Sequence, residues 1–330
     1  MKNIFPFLFL ILMFSCTEKK VSYVEFIGEA QGTTFYISYY DSLETDYSAD
    51  IQQILENFDQ ELSTYKPGSV INQFNNNEID SFPLNTEYFE KCCFLSSHMK
   101  EYTQGYFDFG LQNLILASKK YEKLGKVIPK NLRDSILQIP TTFFGSNWLM
   151  KLDKRIKFNF NAIAQGYSVD VLSDFLESNG VMNYMVEIGG EIRVKGINDK
   201  GELWTVSLEA PNSTRDDRKV QKMIAVDNKA VVTSGSYRKF KEIDGIKYSH
   251  AINPKTGLGV THNLLSVSII CEKAAVADAL ATAFLVMGKE KTIQFLDANN
   301  KYKVSLLFIE VDSNNEYESS TFGDFEQYEF

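Results

Sequence analysis

Between Asn183 and Cys271 the chain runs in short stretches of β-branched and aromatic residues, each broken by a polar or glycine-bearing turn. "NYMVEIGGEIRVKG", "LWTVSLEAP", "KMIAVDNKAVVTSGSYRKF", "KYSHAINPKTG" and "LLSVSIICE" all have this form, and such runs read as strands. The segments around them have a helical period instead. Ile51, Ile54, Leu55, Phe58 and Leu62 form one apolar stripe in Ser48–Tyr65. "NTEYFEKCCFLSSHMKEYTQG" is a second helix closed by Gly105, and "AIAQGYSVDVLSDFLESNGV" a further one closed by Gly180. "RIKFNF" (155–160) reads as a strand. The expected fold class is therefore α+β: mostly antiparallel sheet with packed helices, in one compact unit.

The N-terminus reads separately. "MKNIFPFLFLILMFSC" has a basic start at Lys2 and an apolar run too short to span a bilayer as a stable helix, which fits a secretory signal. Its ending in Ser15-Cys16 resembles a bacterial lipobox, with Cys16 the lipidated residue. The expected organisation is a signal peptide over 1–16, a polar tether over 17–24 and the folded unit over 25–330. The expected location is the cell envelope, lipid-anchored and facing the periplasm, on the inner membrane rather than the outer. The net charge of −9, with no run of Lys or Arg, argues against nucleic acid as a partner. Cys92, Cys93 and Cys271 have no zinc-ligand spacing and read as buried apolar residues, with a disulfide through Cys271 as the alternative in an oxidising compartment.

"AVADALATAF" (275–284) reads as a buried helix, yet it carries Asp278 and, four residues on, Thr282. Residues at i and i+4 share a helix face, and two hard oxygens so placed suit Mg²⁺. Two plainer readings stand beside this one. Asp278 would be a first-turn residue interacting with the helix dipole if the helix begins near Ala274. Thr282 would bond back to the Asp278 carbonyl. In "FNFNAIAQGYSVD" a strand-to-helix junction offers a helix N-terminus to a phosphate, with Gly166 permitting close approach; a βα turn without ligand is the alternative. Gly189-Gly190 reads either as a bulge or as a place where a ligand nears the backbone. His250 precedes an Asn253-Pro254 turn and is a candidate general base or phosphate contact, or a structural strand-end residue. Tyr65 and the Phe107-Asp108-Phe109 run supply aromatic faces for a planar ligand or for the core.

Taken in order, Gly-Tyr-x-x-Asp (166–170), Gly189-Gly190, Thr-Ser-Gly-x-Tyr (233–237), Ser-His-x-Ile-x-Pro-x-Thr-Gly (249–257) and Ala-Asp-Ala-x-x-Thr-Ala (277–283) resemble the ApbE family of FAD:protein FMN transferases, from Gly28 to about Leu296. The resemblance implies Mg²⁺, FAD as substrate, and transfer of FMN to a Thr hydroxyl of a target flavoprotein subunit with release of AMP. It implies metal ligands at Asp278, Thr282 and the carbonyl of Ala162. Nucleotide contacts follow at Gln31, Tyr65, Phe107, Asp108, Phe109, Asn159, Gln165 and Ile252, with His250 and Asp278 catalytic. Asn159 stands where the family often has Asp, Gln165 where it often has Lys or Glu, and Asn253 where Asp precedes the Pro. Hydrolysis of FAD to FMN and AMP, or flavin binding without catalysis, are the alternative functions.

Overall fold

A computed structural model describes residues 22–41, 45–78, 80–140, 142–145, 147–214, 217–236 and 240–330. The expected signal peptide, Cys16, tether residues 17–21 and Tyr237 lie outside the described residues. Residues 22–24, expected in the tether, already belong to the first strand, Ser22–Ala30. No helix among the described residues is long and apolar enough to cross a membrane.

The centre is an eight-stranded sheet, antiparallel at every pairing. Its spatial order is Ser22–Ala30, Thr33–Asp41, Asn183–Ile188, Glu191–Lys195, Lys229–Gly235, Leu264–Cys271, Ser305–Val311 and Tyr317–Phe322. Side chains alternate faces along a strand, and here both faces are covered. Val232, Val267, Ile269, Leu306 and Phe308 enter the core beneath the helices. Val231, Ile270, Leu307 and Ile309 enter a second core beneath the hairpin Trp204–Glu209/Val220–Val226 and Phe325. Burial on both faces explains why "LLSVSIIC" reads as continuous apolar sequence rather than as a polar–apolar alternation.

Two helices on the first face matter most. The brace helix, Ala164–Ser178, packs on Asn183–Ile188 and Glu191–Lys195. The site helix, Ala274–Met287, packs on Lys229–Gly235 and Leu264–Cys271, and the two helices touch each other. Every residue of the site helix except Thr282 is buried. Cys92, Cys93 and Cys271 are buried free thiols, as the sequence suggests.

Two local expectations are corrected. Arg155–Phe160 is not a strand. The amide of Asn75 replaces a ladder partner there, with its Nδ2 donating to the Phe158 carbonyl at 2.9 Å and the Phe158 N–H donating to its Oδ1 at 2.7 Å. Gly189-Gly190 is not a bulge. It is the two-residue turn of a hairpin in which Ile188 pairs with Glu191. Both glycines have positive φ, 64° and 105°, as a tight hairpin turn of this kind requires.

Candidate active site

The site helix begins at Ala274, so Asp278 lies past its first turn. The first two amides are already satisfied from the brace helix: Ala274 N–H donates to Asp170 Oδ1 at 3.1 Å and Ala275 N–H to Asp170 Oδ2 at 2.9 Å. Asp170 is thus the capping group of a helix to which it does not belong. Arg193 Nη1 holds the same carboxylate at 3.1 Å and Asp174 at 2.8 Å, and Arg193 Nη2 holds Glu177 at 2.8 Å. Lys195 joins Glu177 at 2.6 Å and Lys273 joins Asp174 at 2.9 Å. This network fixes the site helix against the brace helix and the sheet.

Asp278 is 5% exposed, and its Oδ2 accepts from Gly166 N–H at 3.1 Å. Burial pushes its carboxyl above the usual range, opposed by that N–H. The packing of the helix pair requires Gly166 to be small. A Cβ there would meet the Ala274 carbonyl oxygen at 2.4 Å and Asp278 Cβ at 2.8 Å. At the start of the brace helix, Ala164 N–H donates to the Phe160 carbonyl at 2.8 Å and Tyr167 N–H to the Ile163 carbonyl at 2.9 Å. Gly166 N–H, one turn beyond Ala162, is directed to Asp278. Thr282 Oγ1 lies 3.4 Å from Ser234 Oγ on the neighbouring strand. Neither plainer reading of the pair matches this geometry, because the helix N-terminus is capped by another residue and the Thr282 hydroxyl meets a strand serine.

The sequence reading misses one group. Glu191, first residue after the glycine turn, has a buried Oε2 with no hydrogen-bond partner. Burial, and then the charge of Asp278, hold its carboxyl well above the usual range. The available signal was a carboxylate opening a strand whose same-face neighbour is the arginine Arg193. The oxygens of Asp278, Thr282 and the Ala162 turn are a hard donor set, and an orphaned buried carboxylate beside them fits a divalent cation.

The expected nucleotide contacts divide into two groups. Gln31 and Gly32 form the turn of the first hairpin, with φ of 55° and 76°. Gln31 Nε2 is buried without a partner, and its backbone N–H serves the Asp59 carboxylate. Gln165 Nε2 would touch a Cβ on Gly189 at 2.8 Å, and Thr33 closes the same spot, so both hairpin turns and Gln165 meet. Tyr65 is 78% exposed, its ring open to a planar ligand. His250 is exposed on the loop between Ile246–Ser249 and Ile252–Asn253, and the latter pair packs against the site helix.

The Phe107 and Phe109 rings are turned into the protein. Both are buried in the main core, Phe109 stacked on Phe160 with centroids 5.7 Å apart. Asp108 is paired with Lys100 at 2.7 Å. Asn159 Nδ2 donates to Gln112 Oε1 at 2.7 Å, and Asn159 Oδ1 accepts from Asn161 N–H at 2.9 Å, which makes it a turn-holding residue here. Ile252 is half-buried and lines a cleft with Ile128, Ile243, Tyr248 and Leu258.

This sheet, with a carboxylate and a hydroxyl on a helix buried against it, has the architecture of solved flavin transferases. A flavin transferase ApbE from Vibrio cholerae superposes with a TM-score of 0.79 at 29% identity, covering 93% of this chain and 99% of that one. The apo form of the flavinyl transferase ApbE from Pseudomonas stutzeri gives 0.81 at 26% identity, covering 93% and 97%. Among curated relatives, an FAD:protein FMN transferase of Vibrio cholerae serotype O1 is 33% identical over 326 residues, 96% of each chain. One from Escherichia coli is 30% identical over 278 residues, 80% of this chain and 78% of the relative. The ApbE family model matches residues 31–308, and the chain belongs to the ApbE family.

Proposed function

We propose that this protein transfers FMN from FAD to a Thr hydroxyl of a target flavoprotein subunit, with Mg²⁺ on Asp278, Thr282 and the Ala162 carbonyl. The observation that carries the proposal is the fixed junction of the two helices, where Asp278 is buried and locked to Gly166 at 3.1 Å with Thr282 one turn along.

FAD joins FMN to AMP through a pyrophosphate, and cleaving it calls for positioning and charge neutralisation more than covalent chemistry. Mg²⁺, when bound, supplies that neutralisation at the pyrophosphate oxygens. The acceptor hydroxyl attacks the FMN-side phosphorus, the bond to the AMP oxygen breaks, and AMP leaves with the electron pair. His250 takes the hydroxyl proton or contacts the phosphate. Gln31 Nε2, buried without a partner, donates to the nucleotide. The open ring of Tyr65 stacks on the flavin.

The test is to incubate the protein with FAD, Mg²⁺ and a Thr-bearing acceptor domain, then read flavin fluorescence on a denaturing gel. The expected result is a fluorescent acceptor and released AMP, with His250→Ala slower by about a hundredfold. Free FMN with an unlabelled acceptor would make the protein an FAD pyrophosphatase. Tight FAD binding without AMP would make it a flavin carrier.

The lipobox-like Ser15-Cys16 supports a lipid anchor that holds the protein at the envelope, facing the periplasm. Cys16→Ser is expected to move the protein from the membrane to the soluble fraction. An unchanged membrane share would refute the anchor.

A further inference from the structure

Glu191 opens the strand Glu191–Lys195. Side chains two apart on a strand share a face, so Glu191, Arg193 and Lys195 all point toward the helices. The two cations are already engaged, Arg193 with Asp170, Asp174 and Glu177, and Lys195 with Glu177. Glu191 is left without either. Its Oε2 is buried and unpartnered, and its carboxylate is otherwise served by its own backbone N–H. The charges that reach it are those of Asp278 and then of Glu187, both negative. Buried carboxylates are paired, hydrogen-bonded or bound to metal, and the protein supplies this one with no cation among the described residues.

We propose that Glu191 is a further side-chain ligand of the divalent cation held by Asp278 and Thr282, reaching it from the strand side while they reach it from the helix. The inference rests on the Mg²⁺ reading above. Two carboxylates match the charge of one dication and repel each other without it. Mg²⁺ is commonly bound through one or two carboxylates, its remaining positions left to water and phosphate oxygens. Ser234, beside Thr282, lies on Lys229–Gly235, the strand that pairs with the Glu191 strand. The sheet therefore already approaches the hydroxyl ligand from this side.

The metal-free, nucleotide-free chain is titrated with Mn²⁺, with the electron paramagnetic resonance of free Mn²⁺ as readout. Glu191→Gln is expected to weaken Mn²⁺ binding by about tenfold or more. Its metal-free melting temperature is expected to stay level or rise, because a neutral amide replaces a buried unpaired carboxylate. Glu191→Asp, which keeps the charge on a shorter stem, should fall between the two. An affinity within about twofold of the parent chain overturns the assignment and leaves the Asp278 site standing. A Glu191→Gln chain that melts lower without metal also overturns it, since that marks a structural role. If the parent binds Mn²⁺ no better than Asp278→Asn does, the Mg²⁺ reading fails and this inference fails with it.

Discussion

Asp278→Ala is expected to abolish Mg²⁺-dependent FMN transfer, with a loss of at least about a hundredfold on the scale of removing one preorganised electrostatic group from an active site. The carboxylate is buried at a helix junction and accepts a hydrogen bond from Gly166 N–H. Alanine leaves that N–H without its partner, at a cost of about 1–3 kcal/mol. Asp278→Asn is the cleaner companion, because its amide oxygen can still accept from Gly166 while the charge is gone. Both variants should fail to place flavin on the acceptor, and Asp278→Asn should melt close to the parent chain. A normal yield of fluorescent acceptor from Asp278→Ala would remove this residue from the metal site.

The second large effect is expected on stability. Asp170→Ala should destabilise the fold by about 3–5 kcal/mol, the usual result of stripping one partner from a buried ion pair. Arg193, itself 5% exposed, would lose its most buried counter-charge. The amides of Ala274 and Ala275 would lose their cap at the same time. Asp170→Asn keeps an oxygen for one amide and should cost less. Urea unfolding checks the order parent, Asn, Ala. A change within about 1 kcal/mol for Asp170→Ala would mean that the network contributes little, as exposed ion pairs do.

Much of this was legible in the sequence because it depended on local pattern. The strands around Asn183–Cys271 and the site helix announced themselves through β-branched runs and unbroken apolar character. The Asp278/Thr282 spacing identified a polar face on a buried helix. What was not legible depended on partners distant along the chain. Asn75 completes the backbone of Phe158 from 83 residues away, so an apparent strand carries no ladder. Gly166 is explained by Ala274 and Asp278 rather than by its own turn. Phe109 belongs to the core because Phe158 and Phe160 cover it. Asp170 was visible within Gly-Tyr-x-x-Asp, but nothing nearby says that it caps a helix a hundred residues later. Glu191 stays hidden until the engagements of Arg193 are known.

The borrowed cap has an electrostatic consequence. A helix N-terminus carries about half a unit of positive charge, which falls off within the first turn. Here Asp170 occupies that end, and Asp278 sits beyond its reach. The field of that helix end acts on the Asp170 carboxylate, which Arg193 holds from the other side. The positive end that bears on Asp278 is instead that of the brace helix, through Gly166 N–H, while burial raises the carboxyls of both Asp278 and Glu191, so a bound dication would favour the ionised form of each.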